Sequence, residues 1–184
     1  MRIVSVAVSL VAAVALIAPA AMAQYDSEQP SKLSLKVGLY RLTGSDDRAK
    51  AGKRWYTEEV LYNYKLNDRG LPVGQAGLGL YEGSGGSDSS MIVVTASSLW
   101  WQEKEAGNLF YGGVGIGAYR MKHLGDQSVK AGVQLFGGYT FHDAYFAELR
   151  LTIVPSWTAD SGFGYREDIN LSGWTAAIGI KRLL

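Results

Sequence analysis

Five charged residues in this sequence, Lys36, Glu59, Lys65, Glu148 and Arg150, lie in stretches whose alternate positions are apolar. In YFAELRLTIV, residues 145–154, one face holds Tyr145, Ala147, Leu149, Leu151 and Ile153, while Glu148 and Arg150 belong to the other. Acids and cations gathered on one face suit two tasks: a relay for protons or ions, or mutual compensation of charge that is costly to bury alone. His123 offers a second chemistry. It stands in RMKHLGDQS, with Asp126 and Ser128 close in sequence. The other histidine, His142, precedes Asp143 in TFHDAY and reads as a turn residue. Two histidines so placed make no metal cluster, and the absence of cysteine removes thiolate ligands, so neither a metal nor a cofactor is expected. The run GGVGIG, residues 112–117, lacks the strand-to-helix setting of a phosphate loop; Gly113, Gly115 and Gly117 fall on one face of a strand. Glu103, Lys104 and Glu105 read as a solvated tip, and RAKAGKR, 48–54, as a basic loop able to meet acidic headgroups.

These residues must be placed by strands. Eight alternating segments occupy about 33–42, 55–66, 73–82, 91–101, 109–120, 130–141, 145–154 and 171–182. Each has the length a tilted strand needs to cross a bilayer. Leu33, Leu35, Val37 and Leu39 oppose Lys36 and Gly38; Val60, Tyr62 and Tyr64 oppose Glu59, Asn63 and Lys65; Phe110, Val114, Ile116 and Ala118 oppose the three glycines. Val133, Leu135 and Tyr139 oppose Gly132, Gln134 and Gly138, and Trp174, Ala176, Ile178 and Ile180 oppose Gly173, Thr175, Ala177 and Gly179. The fourth segment, MIVVTASSLWW, is ambiguous. The less apolar face is built of small and polar residues, as the inside of a narrow eight-stranded barrel would be, which predicts apolar residues outward and Glu148 and Arg150 inward. So narrow a barrel has no continuous aqueous bore, and this favours paired charges over a relay. Connections 43–54, 83–90, 121–129 and 155–170 are long and rich in Gly, Ser and Asp; 67–72, 102–108 and 142–144 are short. Aromatic residues gather near strand ends, Trp55 and Tyr56, Trp100 and Trp101, Tyr139 and Phe141, Tyr145 and Trp157, as in interfacial girdles.

The sequence has 184 residues, room for one domain and its core, and a formal net charge of +1 that gives no support for a nucleic-acid partner. Residues 1–23 have the layout of a cleavable signal peptide: Arg2, an apolar run from Ile3 to Ala18, and Ala21-Met22-Ala23 before Gln24. The expected mature chain, 24–184, is then exported. It contains no apolar stretch long enough for a spanning helix, so a membrane crossing would require a closed barrel.

FYGGVGIGAYR, GVQLFGGYTF and YFAELRL, a run of glycine-studded hairpins, resemble the small outer-membrane β-barrel proteins of Gram-negative bacteria, a porin-like superfamily. The resemblance covers the expected mature chain in broad pattern. It implies an all-β fold, an eight-stranded antiparallel up-and-down transmembrane barrel after a cleaved signal peptide, located in the outer membrane. Such chains commonly end in an aromatic residue, whereas this one ends in IGIKRLL, with Arg182 interrupting the apolar face and Leu184 last. The lipid A palmitoyltransferase family carries His, Asp and Ser at the outer surface of a similar barrel, which invites comparison with His123, Asp126 and Ser128, although their spacing matches no motif. The lipid A deacylase family has an adjacent His-Ser pair, where this sequence has His142 and Asp143. The expected role is non-enzymatic, structural or surface-interacting, with outer-membrane lipid and lipopolysaccharide as partners and a surface partner reached through loops 43–54, 83–90, 121–129 and 155–170. A lipid A-modifying enzyme and a soluble periplasmic barrel holding an apolar ligand are the alternatives, and a solute pore is a further rival.

Overall fold

A computed structural model describes residues 33–84, 89–103, 109–123, 125–141, 144–160 and 166–181. Period-2 alternation persists far enough to build eight long strands, β1 (Leu33–Leu42), β2 (Arg54–Leu66), β3 (Pro72–Ser84), β4 (Ser90–Glu103), β5 (Leu109–His123), β6 (Asp126–Phe141), β7 (Tyr145–Ile153) and β10 (Gly173–Lys181). They close in the order β1-β10-β7-β6-β5-β4-β3-β2, every neighbour antiparallel. This is the all-β, eight-stranded closed barrel expected from the alternation. Residues 1–23, read above as a signal peptide, and the chain end, including Arg182 and Leu184, lie outside the described residues, as do Lys104, Glu105, His142 and Asp143.

The side chains are inverted relative to a soluble barrel. Leu39, Val60, Leu78, Val94, Ile116, Leu135, Leu149 and Ile178, one from each strand, are exposed on the outside. Lys36, Glu59, Gln75, Thr95, Gln134, Glu148 and Thr175 are buried in the bore. β4 resolves in the same sense: Met91, Val93, Thr95, Ser97 and Leu99 point inward, and Ile92, Val94 and Trp100 outward.

The inner face is less uniformly small than its sequence suggests. Tyr40, Trp55, Tyr81, Tyr111, Tyr119, Phe136 and Phe146 are buried inside. Glycines on neighbouring strands make the room. Gly113 is the register partner of Phe136, Gly138 of Tyr111 and Gly179 of Phe146, and a Cβ at any of the three glycines would overlap the facing ring. The glycine stripe is one half of a cross-strand fit whose other half is aromatic.

At the end holding the short connections, the Asn67 carboxamide accepts from the amides of Arg69 (3.0 Å) and Leu71 (2.9 Å). Gly70 supplies the left-handed φ of 73° that this reversal needs. At the opposite end the expected loops contain structure. Residues 43–54 include a helix, α1 (Ser45–Ala51), and 155–170 a two-stranded hairpin, β8 (Trp157–Asp160) with β9 (Arg166–Ile169). The expected loop 121–129 is instead strand: β5 runs to His123, β6 begins at Asp126, and Gly125 turns between them at φ 91°. Tyr119, Met121 and His123 keep the inward parity past the expected strand end at 120 and are buried.

Aromatic residues at the short-turn end form an outward cluster across β5, β6 and β7, with Phe110–Tyr139 ring centroids 4.7 Å apart and Phe141–Tyr145 5.9 Å. Tyr64 and Trp100 continue it outward, and Tyr56 and Trp174 are exposed towards the other end. Trp55 and Trp157, expected in a girdle, are buried in the bore.

Candidate functional site

The inward charges converge where the first and last strands meet. Lys36 and Glu59 are register partners on β1 and β2, and Glu148 and Arg150 come from β7, one strand beyond β10. β10 places Ala177 and Gly179 between them, which allows the longer side chains to meet across it. Lys36 Nζ lies 2.9 Å from Glu59 Oε2 and 2.8 Å from Glu148 Oε1. Arg150 closes the ring, Nη1 at 3.0 Å from Glu59 Oε2 and Nη2 at 2.8 Å from Glu148 Oε1. Tyr81 donates to Glu59 Oε1 at 2.7 Å and Tyr111 to Glu148 Oε2 at 3.1 Å. The Arg150 guanidinium also stacks over Phe136, 5.3 Å from the ring centroid. Two acids and two cations, each at most 4% exposed, thus neutralise one another in a closed quartet.

Four of the five expected inner charges meet in this way. Lys65 does not. The β2–β3 register shifts on either side of it, and its side chain is exposed. Strict alternation cannot continue through such a bulge, so the parity that placed Lys65 inside fails there.

Apolar layers seal both sides of the quartet. Towards the short turns, Leu61, Leu99, Tyr111, Phe136 and Phe146 pack together, with Trp101 against them. Trp101 donates to the Pro72 carbonyl, and Lys181 lies over its ring. The cavity there measures about 30 Å³, the scale of one water molecule. Towards the long connections, Tyr40, Trp55, Met91, Tyr119 and Met121 join Trp157, Ala159, Ile169 and Leu171 in one cluster. α1 and the β8–β9 hairpin lie over this layer as a cap. Lys50 donates to the Asp168 carbonyl at 3.1 Å, the Asn170 amide to Asp47 at 2.9 Å, and Tyr40 to the Leu171 carbonyl. Arg48 donates to the carbonyls of Leu42 and Thr43 at 2.8 and 2.7 Å. Half of the basic run 48–54 is therefore engaged within the cap, while Lys53 and Arg54 remain exposed. Among the described residues, apolar layers thus close the bore on both sides of the quartet.

In fold, the chain is similar to Neisserial surface protein A. That crystal structure superposes with a TM-score of 0.53 at 12% identity, over 84% of this chain and all of the other. The N-terminal β-barrel domain of Pseudomonas aeruginosa OprF matches with a TM-score of 0.48 at 13% identity, over 83% of this chain and 97% of that one. No family model matches the chain, and no curated protein matches it in sequence. The likeness to Neisserial surface protein A is one of architecture.

His123 ends far from the open loop its sequence suggested. It is the register partner of Asp126 across the β5–β6 turn, but its ring enters the cap, where Nδ1 lies 2.6 Å from Ser89 Oγ and Trp157 meets it edge-on at 6.5 Å. Ser128 is the register partner of Met121 and has no part in this contact. Ser89, in the β3–β4 connection, is the residue that sequence reasoning missed; nothing local marks it, because a fold contact across 34 residues brings it to the histidine. Both side chains are buried, at 1% and 5% exposure. Among the described residues no group of three or more His, Cys, Asp or Glu is arranged to hold a metal ion.

Proposed function

We propose that the chain is a non-enzymatic outer-membrane β-barrel of the cell envelope, whose capped end faces outward towards lipopolysaccharide or a surface partner. One observation carries this reading: each of the eight barrel strands turns apolar side chains outward, while four charges are buried and paired inside. In water such a surface would be a large exposed apolar patch; in a bilayer it is the required one. The outward aromatic cluster at the short-turn end suits an interfacial girdle. A soluble barrel with an apolar ligand would need the opposite facing and an open cavity in its bore. Membrane fractionation with electrophoresis of unheated and heated samples tests the proposal. The protein is expected in the outer membrane, with a folded form that migrates differently until boiled. Extraction without detergent would overturn it.

The Ser89–His123 contact is the observation that favours the lipid-modifying alternative. Its burial beneath Trp157 and the cap counts against substrate access. His123→Ala with mass spectrometry of lipid A decides between them: unchanged acylation supports the non-enzymatic reading, and loss of one acyl modification with the barrel intact would replace it.

A further inference from the structure

Apolar grooves run obliquely across the outside of the barrel, and two of them differ at the end nearer the cap. One, of about 980 Å³, passes over β5, β6, β7, β10, β1 and β2 and includes Glu58, whose parity with Tyr56 and Val60 turns it outward. The other, of about 720 Å³, crosses β4 to β7. Its floor is set by Ala96, Ala118 and Ala131 and its sides by Ile116, Val133 and Ile153. Register pairing explains its course. Ala118 is level with Ala131, and Ile116 with Val133, which is level with Ile153, so a row of small side chains lies beside a row of branched ones.

The same strands carry cations just beyond the second groove. Arg120 follows Ala118 on the outward face of β5, about 7 Å further along at two residues of strand rise. Lys122 follows Arg120, and both are exposed. Arg120 Nη2 donates to Gln127 Oε1 at 2.6 Å, which holds the guanidinium over the β5–β6 ladder. The outward carboxylate in the row of Lys122 is Glu82, two strands away beyond Ser90. The first groove also has exposed cations nearer the cap, Arg41 beyond Leu39 and Arg54 beyond Tyr56, but Glu58 lies in its lining, whereas among the described residues no carboxylate lines the second.

We propose that Arg120 and Lys122 bind the phosphate of an anionic membrane lipid, one of whose acyl chains lies along the groove floored by Ala118 and Ala131. This rests on the membrane reading above and names a lipid contact for it. The apolar floor alone would accept any lipid; the two cations select for charge.

The test uses the full chain refolded in detergent, with native mass spectrometry of the first lipid bound from mixed micelles of phosphatidylglycerol and phosphatidylcholine. Preference for phosphatidylglycerol is expected at about fivefold for each cation, the factor that corresponds to about 1 kcal/mol per basic residue at a membrane surface. Arg120→Gln with Lys122→Gln should bring the two lipids to parity, whereas Arg41→Gln with Arg54→Gln, beside the first groove, and Lys65→Gln, at the other end of the barrel, should leave the preference unchanged. Ala131→Phe or Ala118→Leu fills the groove and should weaken both lipids while keeping their ratio. Equal binding of both lipids by the native chain, or a preference that survives loss of both cations, would overturn the proposal. Gel mobility of unheated samples separates the two readings. A heat-shifting barrel without lipid preference sinks only the lipid site, and absence of the shift sinks the membrane reading itself.

Discussion

Removing one member of the quartet should harm the barrel more than removing two of opposite sign. In Lys36→Met the acids Glu59 and Glu148 are left to share Arg150, although Lys36 had stood within 2.9 Å of both. An uncompensated charge at this depth costs about 3–5 kcal/mol. Glu148→Gln alone leaves two cations facing Glu59, with a cost of the same order. In the double variant the Arg150–Glu59 contact at 3.0 Å and the Tyr81 hydrogen bond at 2.7 Å persist, and charge again sums to zero. The double variant should therefore lose less than either single one, below about 3 kcal/mol, where the two single losses add to about 6–10 kcal/mol, so the coupling energy is at least about 3 kcal/mol. Urea unfolding in detergent micelles, followed by tryptophan fluorescence and by gel mobility of unheated samples, measures all three. An unchanged dependence on urea would show that stability alone has moved. Additive losses, or single losses below about 1 kcal/mol, would refute the idea that the four charges act as one neutral unit.

Leu149→Arg, on the exposed outer face, should destabilise the barrel by about 2–4 kcal/mol in lipid vesicles, measured by urea titration; a harmless outcome would count against a bilayer around this surface. Gly138→Val should cost about 1–3 kcal/mol because the new side chain meets the Tyr111 ring, and Tyr111→Ala in the same chain should recover part of the loss. Trp157→Ala should loosen the cap, so that limited proteolysis cuts within 154–172 faster while the unheated barrel still runs at its folded position. Planar bilayers should record no stable conductance from the native chain, since apolar layers flank the quartet on both sides; steady open-pore currents would contradict that closure.

The eight strands were legible because period-2 patterning survives wherever one side of a wall differs chemically from the other. Lys36, Glu59, Glu148 and Arg150 could be put on one face for that reason, but their meeting could not, since 112 residues separate Lys36 from Glu148. Lys65 shows where parity stops: one bulge reverses every assignment beyond it. Trp55 was misplaced by its position at a strand end, although it shares parity with Thr57 and Glu59, a signal that points inward. Trp157 had no such signal, because the β8–β9 hairpin interrupts the alternation of β7. The glycine face was read as small residues favoured by crowding in a narrow bore, yet Phe136, Tyr111 and Phe146 reach into that bore opposite the glycines of neighbouring strands.

The quartet joins β1 to β7 across β10, so two of its four contacts, Lys36 to Glu148 and Arg150 to Glu59, form only once the first and last strands have been brought side by side. A curled sheet that has not yet zipped along β1 and β10 still carries Lys36 and Glu59 on one lip and Glu148 and Arg150 near the other. Such a half-assembled form gains little from its last strands until both lips engage together. Completion is therefore abrupt, and the finished cylinder resists fraying from its own termini.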